Sequence, residues 1–409
     1  MTNVRTWIEI DRRALSNNVG EFLRVIPKHT QFMAVVKSNA YGHGLILVSK
    51  VLSSKFSMLG ATRLWFGVDS IVEGLRLRHE GIKNPILVLG STLPARLAEA
   101  REQAITITVS NFETLRAISR LKEPPAHTGR GSPQIHSGRP DFHIKIDTGM
   151  HRQGFLAKDI PQLIKILKRS RLNPAGIYTH FAAAKDIAYP TYTKIQLAEF
   201  KKAVAAFYRA GFKNIVRHAA ASGGTLLFPE THLDMVRIGM GMYGYWPSME
   251  ARLSLYSHDY RGLASIVLKP VLTWKTVVSE IKEISAGSAV GYDLTERVSR
   301  KTKIAVLPIG YWHGFDRGLS SIGEVLIRGK RAKVLGRVSM DMIVVDITDI
   351  KGKSKFQNPN SKIKVGDEVV LIGRQGKETI WADEMALKLG TTQYEVLTRI
   401  NPLIRRIAV

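Results

Sequence analysis

Phe32-Met33-Ala34-Val35-Val36-Lys37-Ser38-Asn39-Ala40-Tyr41-Gly42-His43-Gly44 is the stretch from which the rest of the chain is read. Its first five residues are apolar and end in two valines, and glycines close the segment. That pattern predicts a buried strand with Lys37 just past its carboxyl end. An amine held at a strand tip and partly desolvated is lowered in pKa and suited to a Schiff base with a carbonyl compound. A solvated lysine after a strand is the plain alternative, and this segment alone does not separate the two.

Outward from it, short apolar runs alternate with helix-period segments. Strands are expected at Phe32–Lys37, Trp65–Val68, Ile86–Gly90, Ile105–Val109, Phe142–Asp147, Gly176–His180, Ile215–Ala219 and Met235–Met240. Ser70–His79, Asn111–Leu121, Ile160–Arg169 and Thr193–Ala210 have the length and periodicity of crossover helices. Eight such units within about 220 residues predict a parallel (β/α)8 TIM barrel rather than an open sheet. Functional groups then belong at the carboxyl ends of the strands, where Lys37, Asp147, His180, Ser222 and the Gly239 region fall.

Trp7-Ile8-Glu9-Ile10 reads as a short strand outside the barrel. Glu123–Pro140, rich in proline and glycine, reads as a tolerated insertion away from the strand tips rather than a functional loop. From about Leu263 the rhythm changes to closely spaced β-rich runs at Ile266–Leu272, Thr276–Ile284, Lys303–Leu307, Glu324–Ile327, Lys333–Leu335, Met342–Ile347 and Glu368–Ile372. Helices are expected at Ala382–Leu389 and Tyr394–Ile400. The expected organisation is a barrel over 1–258 followed by a mainly β C-terminal domain over 259–409.

Composition narrows the class. Of 409 residues, 44% are hydrophobic and 23% charged, which describes a folded globular chain rather than a disordered one. The formal charge of +26 raises nucleic acid, anionic lipid and acidic small molecules as partners. The basic residues are spread without a long run or aromatic interleaving, so nucleic acid is not expected. The absence of cysteine excludes disulfides, thiolate metal sites and a cysteine nucleophile. Met1–Ile10 has no apolar core of signal-peptide length and no run is long enough to span a membrane, so a cytoplasmic protein is expected.

Met235-Val236-Arg237-Ile238-Gly239-Met240-Gly241-Met242-Tyr243-Gly244 contains a G-x-G-x-x-G after a strand. A dinucleotide site needs a helix to open there, and Tyr245-Trp246-Pro247-Ser248 is a turn signal instead. With Ser222-Gly223-Gly224 after the seventh strand, these glycines better suit a phosphate cup made of backbone N–H groups. A lysine after the first strand, that cup, and Arg237 between them point to pyridoxal 5'-phosphate, which needs an amine at one end and a phosphate site at the other. His180 in Tyr178-Thr179-His180-Phe181 is placed either under its ring or in a structural hydrogen bond. No metal spacing is present.

Ala34-Val35-Val36-Lys37-Ser38-Asn39-Ala40-Tyr41-Gly42-His43-Gly44 resembles the cofactor-lysine motif of the bacterial alanine racemase family. The likeness runs from Ile8-Glu9-Ile10-Asp11 through Lys145-Ile146-Asp147-Thr148-Gly149-Met150-His151-Arg152 to Gly390-Thr391-Thr392-Gln393-Tyr394-Glu395. The resemblance implies that Lys37 carries the cofactor, and that Tyr41, Ser222, Gly239, Met240 and Tyr394 hold its phosphate. It also implies that Arg237 faces the pyridine nitrogen, that Arg152 bonds the phenolic oxygen, and that Lys145 orients Arg152. In several family members the residue matching Lys145 is carbamylated. Inverting Cα needs one group on each face of the substrate. The resemblance implies Lys37 for one face and Tyr292, from the partner subunit of a homodimer, for the other, with Tyr311 and Met340 meeting the substrate carboxylate. Read alone, Tyr292 is a half-buried strand tyrosine.

The expected activity is therefore racemisation of alanine, supplying D-alanine for peptidoglycan. Alternatives are a racemase of serine, lysine or several amino acids, and a cofactor-carrier protein without catalysis. Carriers of that kind lack the second domain, and the basic amino-acid decarboxylases of similar architecture use a cysteine where this chain has Ser339. Three departures from the family pattern stand out: Ala221 before Ser222, Asp293 after Tyr292, and Gly310-Tyr311-Trp312-His313-Gly314-Phe315-Asp316-Arg317. They bear on cofactor affinity and on the shape of the entrance.

Overall fold

A computed structural model describes residues 4–58, 64–121, 138–185, 190–257, 265–350 and 362–409. The chain forms two compact units, one made of 14–40 and 48–269, the other of 1–13, 41–47 and 270–409. Strands are numbered in chain order, beginning with β1 (Thr6–Ile10) of the second unit.

The first unit is a closed barrel of eight parallel strands: β2 (Gln31–Val35), β3 (Leu64–Val68), β4 (Ile86–Ser91), β5 (Thr106–Val109), β6 (Phe142–Lys145), β7 (Gly176–Tyr178), β8 (Val216–Ala221) and β9 (Met235–Ile238). The ring closes where β2 pairs with β9, Met33 lying opposite Arg237. All eight expected strands are present, because apolar runs of four to six residues between breakers are what a sheet buried on both faces demands. Met33, Leu87 and Met235 fill the floor against Trp65, Leu89 and Val216. Arg237 follows Met235 by two residues, so strand alternation points it along the same inner face.

The crossover helices Ile71–His79 and Phe112–Arg120 start where Ser70 and Asn111 cap them, and Ile160–Arg169 and Pro190–Arg209 cover the expected segments. The helices Arg12–Val25 and Leu45–Met58 were not among those expected. The first carries a buried polar residue, Asn18, which breaks its apolar stripe, and the second is apolar on most faces. Asn18 bonds the carbonyls of Met242 and Lys269, at 3.1 and 2.8 Å, so its burial is satisfied. Most of the Glu123–Pro140 segment lies outside the described residues.

The second unit contains β10 (Leu272–Val277), β11 (Glu280–Ile284), β12 (Ala289–Val290), β13 (Glu296–Arg297), β14 (Thr302–Leu307), β15 (Glu324–Ile327), β16 (Lys330–Leu335), β17 (Ile343–Asp346), β18 (Glu368–Gln375), β19 (Glu378–Ile380) and β20 (Arg405–Ala408). One sheet runs β11-β14-β17-β16-β15-β18-β10-β1-β20, with β19 on β18, and β12 and β13 pair separately. The amino-terminal strand lies between β10 and β20.

Two expectations are corrected here. The run Ile266–Leu272 is strand only from Leu272, since Pro270 has no N–H to give to a ladder. Thr276–Ile284 divides at Val278-Ser279, whose N–H groups turn to Asp367 and Val306. The helices Ala382–Leu389 and Gln393–Thr398 complete the unit. Among the described residues, no helix is long and apolar enough to cross a membrane.

Candidate active site

Lys37 lies two residues past Val35, the last residue of β2, and stands at the carboxyl end of the barrel. Behind it the backbone winds left-handed for four non-glycine residues, Ser38, Asn39, Ala40 and Tyr41, at φ 55°, 55°, 54° and 51°. Each such residue costs roughly 1–2 kcal/mol against right-handed helix, so the turn persists only where its surroundings hold it. The Lys37 ammonium is 3.8 Å from the Asp69 carboxylate at the end of β3.

Arg237 is a buried cation held at four points. Its Nη2 donates to the carbonyls of Thr179 and Ala219, at 2.8 and 2.9 Å, and its Nη1 lies 2.9 Å from His218 Nδ1. A guanidinium only donates, so His218 Nδ1 must accept and the His218 proton sits on Nε2. That proton is given to His143 Nδ1 at 2.9 Å, which puts the His143 proton on Nε2. His180 Nδ1 likewise accepts from Arg237, at 3.2 Å.

Burial first, and the Arg237 charge second, hold His143 and His180 down at about 3 and His218 well below the imidazole range. All three rings are neutral. Burial also brings Arg237 down to about 10, still far above neutrality, so it stays charged. Tyr178 stacks on His218 at 4.6 Å and its hydroxyl bonds Thr108 at 2.8 Å.

Lys145, on the same inner face of β6 as His143, donates to Gln153 Oε1 at 2.9 Å. Burial, then Arg237, Arg152 and Lys37, lower it to about 8. The loop after β6 is tied by Asp147 Oδ1, which accepts from the N–H groups of Gly149, Met150 and His151 at 3.0 Å each. The next residue is Arg152, close enough to Lys145 and His180 to act on both electrostatically.

After β8 the helix Ser222–Leu227 begins at Ala221, which offers no side-chain cap, and the 3₁₀ turn Met240–Tyr243 begins uncapped at Gly239. Ser222 Oγ joins these two starts by accepting from Gly239 N at 3.0 Å and Gly241 N at 3.4 Å. The first-turn N–H groups that Ser222 does not take have no intrahelical acceptor, which suits them to an anion.

The first unit thus gathers Lys37, Lys145, Arg152, His180, Ser222, Arg237, Gly239 and Met240 from the sequence reading. The second unit brings the rings of Tyr41 and Tyr394 to 6.1 Å, edge to face. Burial, then Tyr394, raises the Tyr41 hydroxyl, and burial raises that of Tyr394. The segments that carry Tyr311 and Met340 are tied through the backbone, as Tyr311 N donates to the Ser339 carbonyl at 3.1 Å and Trp312 N to that of Met340 at 3.0 Å. Tyr292 sits on a turn after Gly291 and is not half-buried in a strand: it is 70% exposed. The sequence reading passed over Asp69, Glu73, His143, Tyr178 and His218. The signal for His143 and His218 was a polar residue inside a strand expected to be buried on both faces.

The family model for the alanine racemase N-terminal domain matches residues 10–247, and that for the C-terminal domain matches 271–408. The alanine racemase of Leptospira interrogans is 37% identical over 99% of this chain and 96% of its own length. That of Methanococcus maripaludis is 36% identical over 98% of both. The solved alanine racemase of Bacillus anthracis with bound L-Ala-P superposes with a TM-score of 0.84 at 33% identity, covering 100% of this chain and 96% of that one. The Clostridium difficile alanine racemase gives 0.84 at 29% identity, covering 100% and 97%. Barrel, β unit and full-length likeness define the class as an amino-acid racemase, an isomerase. Within that class the chain belongs to the alanine racemase family.

Proposed function

We propose that the chain interconverts L- and D-alanine with pyridoxal 5'-phosphate, in the cytoplasm, as a homodimer, supplying D-alanine for peptidoglycan. The observation that carries the cofactor reading is the donor set of the first unit. Lys37, Lys145, Arg152 and Arg237 gather at one barrel mouth, and the first-turn N–H groups after β8 and β9 that Ser222 does not take add donors for a phosphate. This chemistry suits an anionic aldehyde. The Bacillus anthracis relative with bound L-Ala-P supports alanine as the substrate.

When bound, pyridoxal phosphate supplies the conjugated electron sink that makes the substrate Cα acidic. Lys37 would hold its aldehyde, and Ser222, Gly239, Met240, Tyr41 and Tyr394 its phosphate. Arg237 would face the pyridine nitrogen. Its charge is retained because every accepting group around it, His218, His180 and two carbonyls, is neutral and too weakly basic to take its proton. A guanidinium that keeps its proton would leave that nitrogen unprotonated and so favour return of the proton to Cα over transamination. His180, neutral and fixed by Arg237, presents a flat ring without charge. Arg152 would take the phenolic oxygen, with Lys145 orienting it.

The Lys37 amine moves the Cα proton on one face, and the Tyr292 hydroxyl of a second copy moves it on the other. Tyr311 and Met340 of that copy would meet the substrate carboxylate. The homodimer reading is supported by the exposed apolar side chains of Tyr292, Leu294, Trp312, Met340 and Met342, which leave a surface suited to a second copy.

Incubation of the cofactor-loaded protein with mixed L-amino acids in heavy water, followed by chiral analysis, tests the proposal. Deuterated D-alanine is expected as the dominant product. Inversion of serine or lysine instead would overturn the substrate, and exchange without inversion would overturn the role of Tyr292.

A further inference from the structure

Lys37 stands on a left-handed turn that needs an external hold, and the hold comes from a residue the mechanism does not use. Glu73 lies in the first turn of the helix Ile71–His79, whose cap Ser70 accepts from Glu73 N at 3.4 Å. In an ordinary capping box the carboxylate three residues into the helix returns to the N–H of the cap residue and serves that helix alone. Here Glu73 Oε2 accepts from Asp69 N at 2.9 Å, one residue before the cap. Its Oε1 accepts from Asn39 N at 3.2 Å, inside the left-handed turn and 34 residues away in sequence.

Both residues so gripped flank the Lys37 amine. Asn39 is two residues beyond Lys37, and the Asp69 carboxylate is 3.8 Å from its Nζ. Asp69 is also fixed from its other side, since its carbonyl accepts from Gly90 N at 3.0 Å. Only glycine fits at that approach: a Cβ at Gly90 would lie 2.3 Å from the Asp69 carbonyl oxygen. A charged acceptor with two oxygens spanning β2 and β3 fixes the lysine's backbone and its counter-charge together.

We infer that Glu73 is a positioning residue for Lys37, acting through the N–H groups of Asn39 and Asp69 to hold the amine where the substrate's and cofactor's reacting atoms must meet it. This rests on Lys37 as the cofactor-bearing lysine. Misplacing a reacting group by about 1 Å costs on the order of a hundredfold in rate. Glu73→Ala removes both acceptors, and Glu73→Gln keeps one while turning an N–H toward the other donor. Ser70→Ala removes a cap partner of the same helix and leaves both Glu73 contacts in place.

The experiment mixes each purified variant with pyridoxal phosphate, traps with borohydride at timed intervals, and measures the peptide carrying Lys37. Amide exchange over 36–41 and 68–70 is followed on the same proteins without cofactor. Attachment at Lys37 is expected to slow by roughly ten- to a hundredfold in both Glu73 variants, with faster exchange in both segments, and to stay native in Ser70→Ala. Native attachment and exchange in Glu73→Ala overturn the inference. So does equal slowing in Ser70→Ala, which would reduce Glu73 to a helix cap. If the native protein attached cofactor at a residue other than Lys37, the proposed function would fall, and unchanged exchange in Glu73→Ala would still decide against the clamp.

Discussion

The mouth of the barrel and the candidate surface of the second unit treat their functional side chains in opposite ways. In the barrel, Arg237 is buried and bonded at four points, and Lys145 is 7% exposed. On the second unit, Tyr292, Tyr311 and Met340 are 70%, 43% and 55% exposed and stand on turns. Charge must be preorganised in a dry, rigid setting to act at full strength, and a parallel barrel supplies that setting by itself. A tyrosine left in solvent does no such work until something covers it. On the proposed function, the difference would assign cofactor electronics to one unit and leave the second proton carrier dependent on a second copy.

The comparison breaks most sharply at Tyr292. Tyr292→Phe should lower L-to-D turnover by about 10²–10⁴-fold, the usual worth of a placed acid or base, while attachment of cofactor at Lys37 stays native. Chiral turnover and borohydride trapping on one preparation read both, and equal loss of the two removes Tyr292 from the chemistry. On the barrel side, Arg237→Lys replaces a rigid fork by a single ammonium and leaves several buried acceptors unmatched. A loss of about 3 kcal/mol in urea unfolding is expected. A loss below about 0.5 kcal/mol, the scale of a neutral surface change, would mean that the mouth is held by other contacts.

Gly241→Ala should cost about 1–3 kcal/mol by overpacking, because a Cβ there would sit 2.4 Å from the Phe22 ring and 3.3 Å from Ser222 Cβ. Phosphate-dependent stabilisation should weaken with it, and an unchanged melting temperature would show the cup to be looser than drawn. The smallest effect sharpens the electrostatics. Lys145 is lowered to about 8 by burial first and by its cationic neighbours second. The unfolded chain therefore binds more protons between about 8 and the ordinary lysine value of about 10.4, and stability contributed by this group rises with pH across that window. Lys145→Met should lack that rise, which melting curves from pH 7.5 to 10.5 compare directly.

Legibility followed the range of the interaction. Eight buried strands were readable because each is a local run of apolar residues between breakers, and the placement of Lys37, Ser222 and Arg237 in the barrel was readable because each sits at or near a strand end. Helix Arg12–Val25 was not, since Asn18 is polar in sequence and its amide N–H groups find their acceptors on carbonyls more than 200 residues away. The split at Val278-Ser279 escaped for the same reason, as both N–H groups find partners on distant segments.

What the amino-acid order determined alone was therefore the periodic part: a barrel, a β-rich partner unit, and the family that their motifs carry. Only the tertiary structure decided protonation and placement. His218 and His143 carry their protons on Nε2 because a buried guanidinium can only donate, and no local pattern encodes that neighbour. Glu73 reads as one more first-turn carboxylate until folding brings Asn39 and Asp69 to its two oxygens. Propensity and pattern act over a few residues, whereas burial and hydrogen-bond direction depend on groups that meet only when the chain has closed.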